Sequence, residues 1–168
     1  ISASEAPILK PFVKVSEQLG LFAGQLMPLN FDEIAIDYVG DVSDYNCAPI
    51  TSAAVAGVLS STLPDINMVS ASTIARDKGI AITETKKDEH SAYESYIRIN
   101  LVSKKEKFSI GGTIFSDGQP RIVQINGINL CTGCGQMLLP GENGCTVRIK
   151  PLKRSRTMRR RASREKKA

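Results

Sequence analysis

The stretch FSIGGTIFSDGQPRIVQI, residues 108–125, decides the fold. Phe108, Ile110 and Ile114 alternate with small or polar residues, and Val123 and Ile125 do so again, which gives two runs with the period of a strand. Between them, Asp117-Gly118 is a hairpin signal, because glycine takes the positive φ that a tight turn needs. A two-residue turn at that point sets Phe115 opposite Pro120, Ile114 opposite Arg121 and Gly112 opposite Val123. In that register Arg121 projects from the same face as Ile110, Ile114, Val123 and Ile125, a guanidinium at the rim of an apolar face. Gly111-Gly112 falls mid-strand, where glycines mark a bulge or a close backbone approach.

Toward the N-terminus, Ile97, Ile99 and Leu101 form another alternating run, as do Ile80 and Ile82, with polar loops at 84–92 and 103–106. Ile34, Ile36 and Tyr38 alternate with Ala35 and Asp37, so residues 31–39 read as a strand closed by Gly40-Asp41. Before it, Ile8, Phe12, Val15, Leu19, Phe22 and Leu26 recur at steps of three and four, one face of a helix. Ser2 or Ser4 can cap that helix and Pro28 stops it, while Pro7 and Pro11 fit only in its first turn. Residues 48–60 (APITSAAVAGVLS) predict a second helix, capped by Asn46 and rich in small residues suited to close packing. A short third helix over 70–78, starting at Ser70 or Ser72, ends where Gly79 can turn left-handed. The order predicts a two-layer α+β domain of α-β-α-β3 type, its helices on one face of a mixed, largely antiparallel sheet.

The 168 residues suit one domain, and no run of 18 or more apolar residues or secretory signal pattern occurs, so a soluble cytoplasmic chain is expected. The N-terminal Ile1 and the nearby helix start lead us to expect an upstream part. Residues 148–168 hold 11 of the 22 Lys and Arg against one acid, a net +10, which leaves residues 1–147 at −5. The acidic body gives no reason to expect nucleic acid.

Chemistry-bearing patterns are sparse. Neither a Gly-rich dinucleotide turn opening a helix nor a phosphate-binding Gly-Lys-Ser/Thr loop occurs, and Gly111-Gly112 lies mid-strand. The sole histidine, His90, sits in a polar loop without a partner triad. Cys131, Cys134 and Cys145 resemble half of a zinc ribbon, since a C-x2-C pair offers two thiolates to one tetrahedral metal. The fourth ligand would have to be Cys47 or His90, and free thiols are the plainer reading. Arg121 has two readings: an amphipathic side chain reaching to water, or a bidentate holder of a carboxylate or phosphate.

The segments EAPILKPFVKVSEQLGLFAGQL (5–26), APITSAAVAGVL (48–59), INMVSA (66–71) and GGTIFSDGQPRIVQINGI (111–128) resemble the region after the nucleotide-binding domain of long-form bacterial D-3-phosphoglycerate dehydrogenases. There it is the allosteric substrate-binding, or intervening, domain. The resemblance covers residues 1 to about 130. It implies a parent enzyme that oxidises 3-phosphoglycerate with NAD in serine synthesis, with the NAD-binding and catalytic residues upstream and an ACT-type serine-sensing domain downstream. No cofactor is expected in this chain, only NAD in the parent, and the expected partners are the rest of that enzyme and further copies of it. The resemblance also implies an anion site for 3-phosphoglycerate or phosphate, formed by Arg121, Asn126 and Gly127. Ile128 replaces a residue that is basic in some relatives, which weakens that implication. The β-type domain of L-serine dehydratases has a similar architecture and is the nearest alternative.

After Leu130 the family pattern ends, and residues 131–168 become rich in Cys, Gly and Arg. Such a composition buries too little apolar surface to offset ordering entropy, so disorder is expected. The +10 stretch reads either as an arm for nucleic acid or acidic membranes, or as the product of a shifted reading frame.

Overall fold

The computed structural model describes residues 5–27, 31–88 and 93–131. It contains three helices, α1 (Ala6–Leu26), α2 (Ala48–Ser60) and α3 (Ala71–Asp77), and six strands, β1 (Glu33–Gly40), β2 (Ala81–Lys87), β3 (Ser95–Val102), β4 (Lys107–Ile114), β5 (Pro120–Ile125) and β6 (Ile128–Asn129). The strands form one mixed sheet in the order β2-β1-β3-β4-β5-β6. The expected α+β class holds. His90, Cys134, Cys145 and the basic segment 148–168 lie outside the described residues.

β1 pairs with β3 antiparallel and with β2 parallel, so the run at Ile80 and Ile82 joins a parallel pair. The cause is the connection: residues 41–80 carry α2 and α3 across one face and return the chain in its original direction. β2 also runs to Lys87, into the stretch expected to be loop, and forms an edge with mostly exposed side chains.

The hairpin register differs from the expected one by a residue. Thr113 pairs with Arg121 and Ile114 with Pro120, and the register shifts between Gly111 and Gly112. The loop is longer than Asp117-Gly118 alone, because Phe115 N–H donates to Gln119 O at 3.1 Å and Gly118 N–H to Phe115 O at 2.8 Å. A three-residue loop with Gly118 at φ 72° moves Arg121 and Ile122 by one position, and the irregularity opposite Gly111 and Gly112, with Val123 as the extra residue, restores the expected register for Gln124 and Ile125. Ile122 is thereby turned to the helix-side core, Ile125 stays there beyond the bulge, and Val123 joins a cluster on the opposite face. Arg121 leaves the face of Ile110 and Ile114 and lies over the Phe115 ring on the helix-free side.

The two mid-strand glycines are required by what crosses above them. A Cβ on Gly111 would strike the Tyr96 ring, and one on Gly112 would come within 3.1 Å of the Leu19 side chain. Bulge and close approach coincide.

α1 departs from expectation in two ways. Pro11 sits inside the helix, beyond the first turn, and removes the N–H that Pro7 O would accept. The buried arc also differs from the apolar stripe: Leu9, Val15, Ser16, Leu19, Gly20, Ala23 and Gly24 are buried, so the two share only Val15 and Leu19, while Ile8, Phe22 and Leu26 are exposed. At 100° per residue the two arcs are offset by about 80°. The cause is α2, against which α1 packs so closely that a Cβ on Gly20 would meet Ala54 O and one on Gly24 would meet Val58 O. Cys47 takes the N-cap position of α2, and the Asn46 side chain accepts the Ala48 N–H at 3.2 Å.

Candidate functional site

The helix-free face of the sheet carries the densest grouping of rings and charges among the described residues. β3 alternates Ile97, Ile99 and Leu101 toward the helices with Tyr96, Arg98 and Asn100 away from them. The Arg98 guanidinium lies 5.3 Å from the Tyr96 ring centroid. Tyr93 stacks on both Tyr96 and Phe115 with centroids 6.3 Å apart in each case. The Arg121 guanidinium lies 5.1 Å from the Phe115 centroid. The result is a continuous row, Arg98–Tyr96–Tyr93–Phe115–Arg121, over a small core of Val39, Tyr96 and Val123.

Each guanidinium has an acidic neighbour. Arg121 Nη2 donates to Asp117 Oδ2 at 2.7 Å, with both side chains exposed enough for solvent to screen the pair. Arg98 Nη1 is 3.7 Å from Asp37 Oδ2, too far for a hydrogen bond, and that oxygen already accepts from Asn100 Nδ2 at 3.1 Å. Arg98 Nε is buried with no hydrogen-bond partner. The Tyr96 hydroxyl donates to Gln124 Oε1 at 3.1 Å. Burial pushes that hydroxyl above the usual tyrosine range, against the opposing effect of Arg98.

Arg121 and the Asn126-Gly127 pair stand at opposite ends of β5, about 16 Å apart at the rise of a strand. Asn126 (φ 48°) and Gly127 (φ 79°) are the two central residues of the β5–β6 turn. The Asn126 side chain accepts the Ser109 N–H at 2.9 Å, and its own N–H donates to Ser109 O at 2.7 Å. Asn-Gly with both φ positive is the hairpin turn that makes β6. That signal stood in the sequence and predicts the extra strand. Ile128 follows in β6 and is exposed.

Cys47 is buried on the helix side, its thiol 3.4 Å from both Val42 O and Tyr45 O, and burial pushes its pKa up. Cys131 is buried beyond β6. Among the described residues no three His, Cys, Asp or Glu side chains are grouped to hold a metal ion. Among the same residues, no helix is long and apolar enough to cross a membrane.

Fold and face together define a two-layer α+β module: helices on one side of a mixed sheet and an aromatic row ended by two guanidiniums on the other. Residues 8–126 match the family model for the D-3-phosphoglycerate dehydrogenase intervening domain, and the chain belongs to that family. It is similar to the D-3-phosphoglycerate dehydrogenase of Synechocystis sp., with 31% identity over 120 residues, 70% of this chain and 22% of the relative. The Methanocaldococcus jannaschii enzyme of the same name is 32% identical over 120 residues, 71% of this chain and 22% of its own. That of Bacillus subtilis is 27% identical over 123 residues, 73% and 23%. The chain thus spans less than a quarter of the length of these relatives.

Proposed function

We propose that the chain is a non-catalytic regulatory module of an NAD-dependent phosphoglycerate dehydrogenase that serves serine biosynthesis in the cytoplasm. In this reading the rest of a homo-oligomeric parent enzyme carries the catalytic residues and binds NAD. The module senses a small anion, 3-phosphoglycerate or phosphate, through Arg121. The observation that carries the reading is that Arg98 and Arg121 emerge on one face of the sheet, Arg121 with only a solvent-screened contact to Asp117. Guanidiniums hold phosphate and carboxylate oxygens through paired N–H donors. Arg121 reaches an anion by exchanging part of its screened contact with Asp117. Asn126 and Gly127 shape the far end of β5, so the anion on Arg121 is not shared with them.

Isothermal titration of the chain with 3-phosphoglycerate and with phosphate tests this. Heat is expected for the wild type and a loss of roughly tenfold or more in affinity for Arg98→Ala and Arg121→Ala, since each charged hydrogen bond contributes about 1.5–3 kcal/mol. Absence of heat in the wild type, or unchanged heat in both variants, would refute the site.

A further inference from the structure

The six-residue apolar stripe of α1 is the strongest periodic signal in the chain, yet the domain buries only its middle: Val15 and Leu19 are in the core and Phe12 packs against it, while both ends stay open. Ile8 is 43% exposed, Phe22 37% and Leu26 55%. Alongside it run two depressions. The larger, about 640 Å³, lies between Ile8 and Phe12 on one wall and Tyr45, Tyr93 and Phe115 on the other. The smaller, about 330 Å³, lies between Val15 and Phe22 on one wall and Pro120, Arg121 and Ile122 on the other, so a basic residue borders the end away from the carboxylates. Consecutive turns of α1 line the two, and Ile114, in the larger, pairs with Pro120, in the smaller, so they form one groove. From Ile8 to Leu26 the stripe is about 27 Å long, five turns of helix.

The groove has a charged end. Asp41 and Glu94 line the larger depression, and no Lys or Arg is among its described lining residues. Its floor strand, β4, is hydrogen-bonded on both edges, to β3 and to β5. An extended peptide laid there would find no open ladder for its backbone groups. A helix satisfies its own.

We propose that this groove is the docking site of an amphipathic helix from a partner polypeptide. Its apolar side chains, spaced at three and four, would fill the two depressions, and a Lys or Arg near one end would meet Asp41 and Glu94. Apolar anchors at that spacing are how a helix is read by a groove. The carboxylates fix its direction, because reversing the helix would leave them without a countercharge.

The test uses the full chain and a synthetic 18-residue helix with leucines spaced three and four apart and two lysines at one end, read by fluorescence anisotropy. A second peptide replaces the lysines by glutamates. Binding near 10 µM is expected for the first, with about tenfold weakening for the second peptide, for Ile8→Asp and for the double variant Asp41→Asn/Glu94→Gln. These side chains are exposed or at the rim of the groove, and unfolding curves matching the wild type establish that the variants fold. No binding of the lysine peptide, or equal binding of both peptides, overturns the proposal. Dimerisation of the wild type abolished by Ile8→Asp would name a second copy as occupant instead and overturn it too. So would displacement of the probe by a synthetic 148–168 peptide with an affinity at least tenfold higher, which would name this chain's own basic segment.

Discussion

The hydroxyl of Tyr38 lies 2.7 Å from Oγ1 of Thr51, a buried bond between β1 and the first turn of α2. Thr51 gives its single proton to Glu84 of β2, so Tyr38 is the donor to Thr51. Two strands and the helix above them are tied through one hydroxyl.

Removing the two ends of that bond has unequal consequences. Tyr38→Phe keeps the ring and leaves Thr51 its contact with Glu84, so a loss of about 1 kcal/mol is expected. Thr51→Val strands the Tyr38 hydroxyl in the core, which costs about 2–3 kcal/mol. Urea unfolding at neutral pH ranks the two, and the reverse order would contradict the donor assignment.

Alkaline stability follows from the same residue. Burial pushes the Tyr38 hydroxyl far above the ordinary tyrosine value, and Tyr96 is raised too. An unfolded tyrosine ionises near pH ~10, so above that pH the unfolded chain releases protons that the folded chain keeps. Their contribution is complete below pH ~10 and is lost as pH rises above it, by up to about 1.4 kcal/mol per pH unit for each group. Urea midpoints between about pH 9 and 11 should fall less steeply in Tyr38→Phe than in the wild type.

The α1–α2 crossing predicts an inversion of helix propensity. In an exposed helix Gly→Ala gains about 1 kcal/mol. At Gly20 and Gly24 the added methyl runs into the carbonyl oxygens of Ala54 and Val58, which are backbone and cannot rotate away. Overpacking of this kind costs about 1–3 kcal/mol or more and outweighs the gain. Each alanine variant is expected to lose at least ~1 kcal/mol in denaturant unfolding; a stabilised variant would show that the helices are not in close contact.

The β5–β6 turn is a local device. Gly127→Ala places a methyl at φ 79° with open space around it, so the cost is the conformational ~1 kcal/mol and no clash. Asn126→Ala loses its acceptor for the Ser109 N–H as well, about 1–2 kcal/mol in all. Hydrogen exchange should report the loss first at Leu130, whose N–H bonds to Val123 O at 2.8 Å, before the central strands.

Residues 34–38, 97–101 and 108–114 show their strand period in the sequence because one face of each strand is apolar, and burial writes that alternation directly. The helices 48–60 and 71–77 were legible for a similar reason, from small residues, a proline in the first turn and a terminal glycine. Periodicity reports large apolar side chains only. It therefore found the stripe from Ile8 to Leu26, while the face that α1 buries against α2 rests on Gly20 and Gly24, whose contribution is the absence of a side chain. Arg121 shows the same boundary at the candidate site. The sequence by itself determined the α+β class, the family and the guanidinium on β5. Only the tertiary structure decided which face that guanidinium occupies, because one added loop residue turns over the first residues of β5, where side chains alternate with period two, before the bulge restores the register. It also decided that Arg98 shares that face, since residues 23 positions apart meet only when β3, β4 and β5 lie side by side.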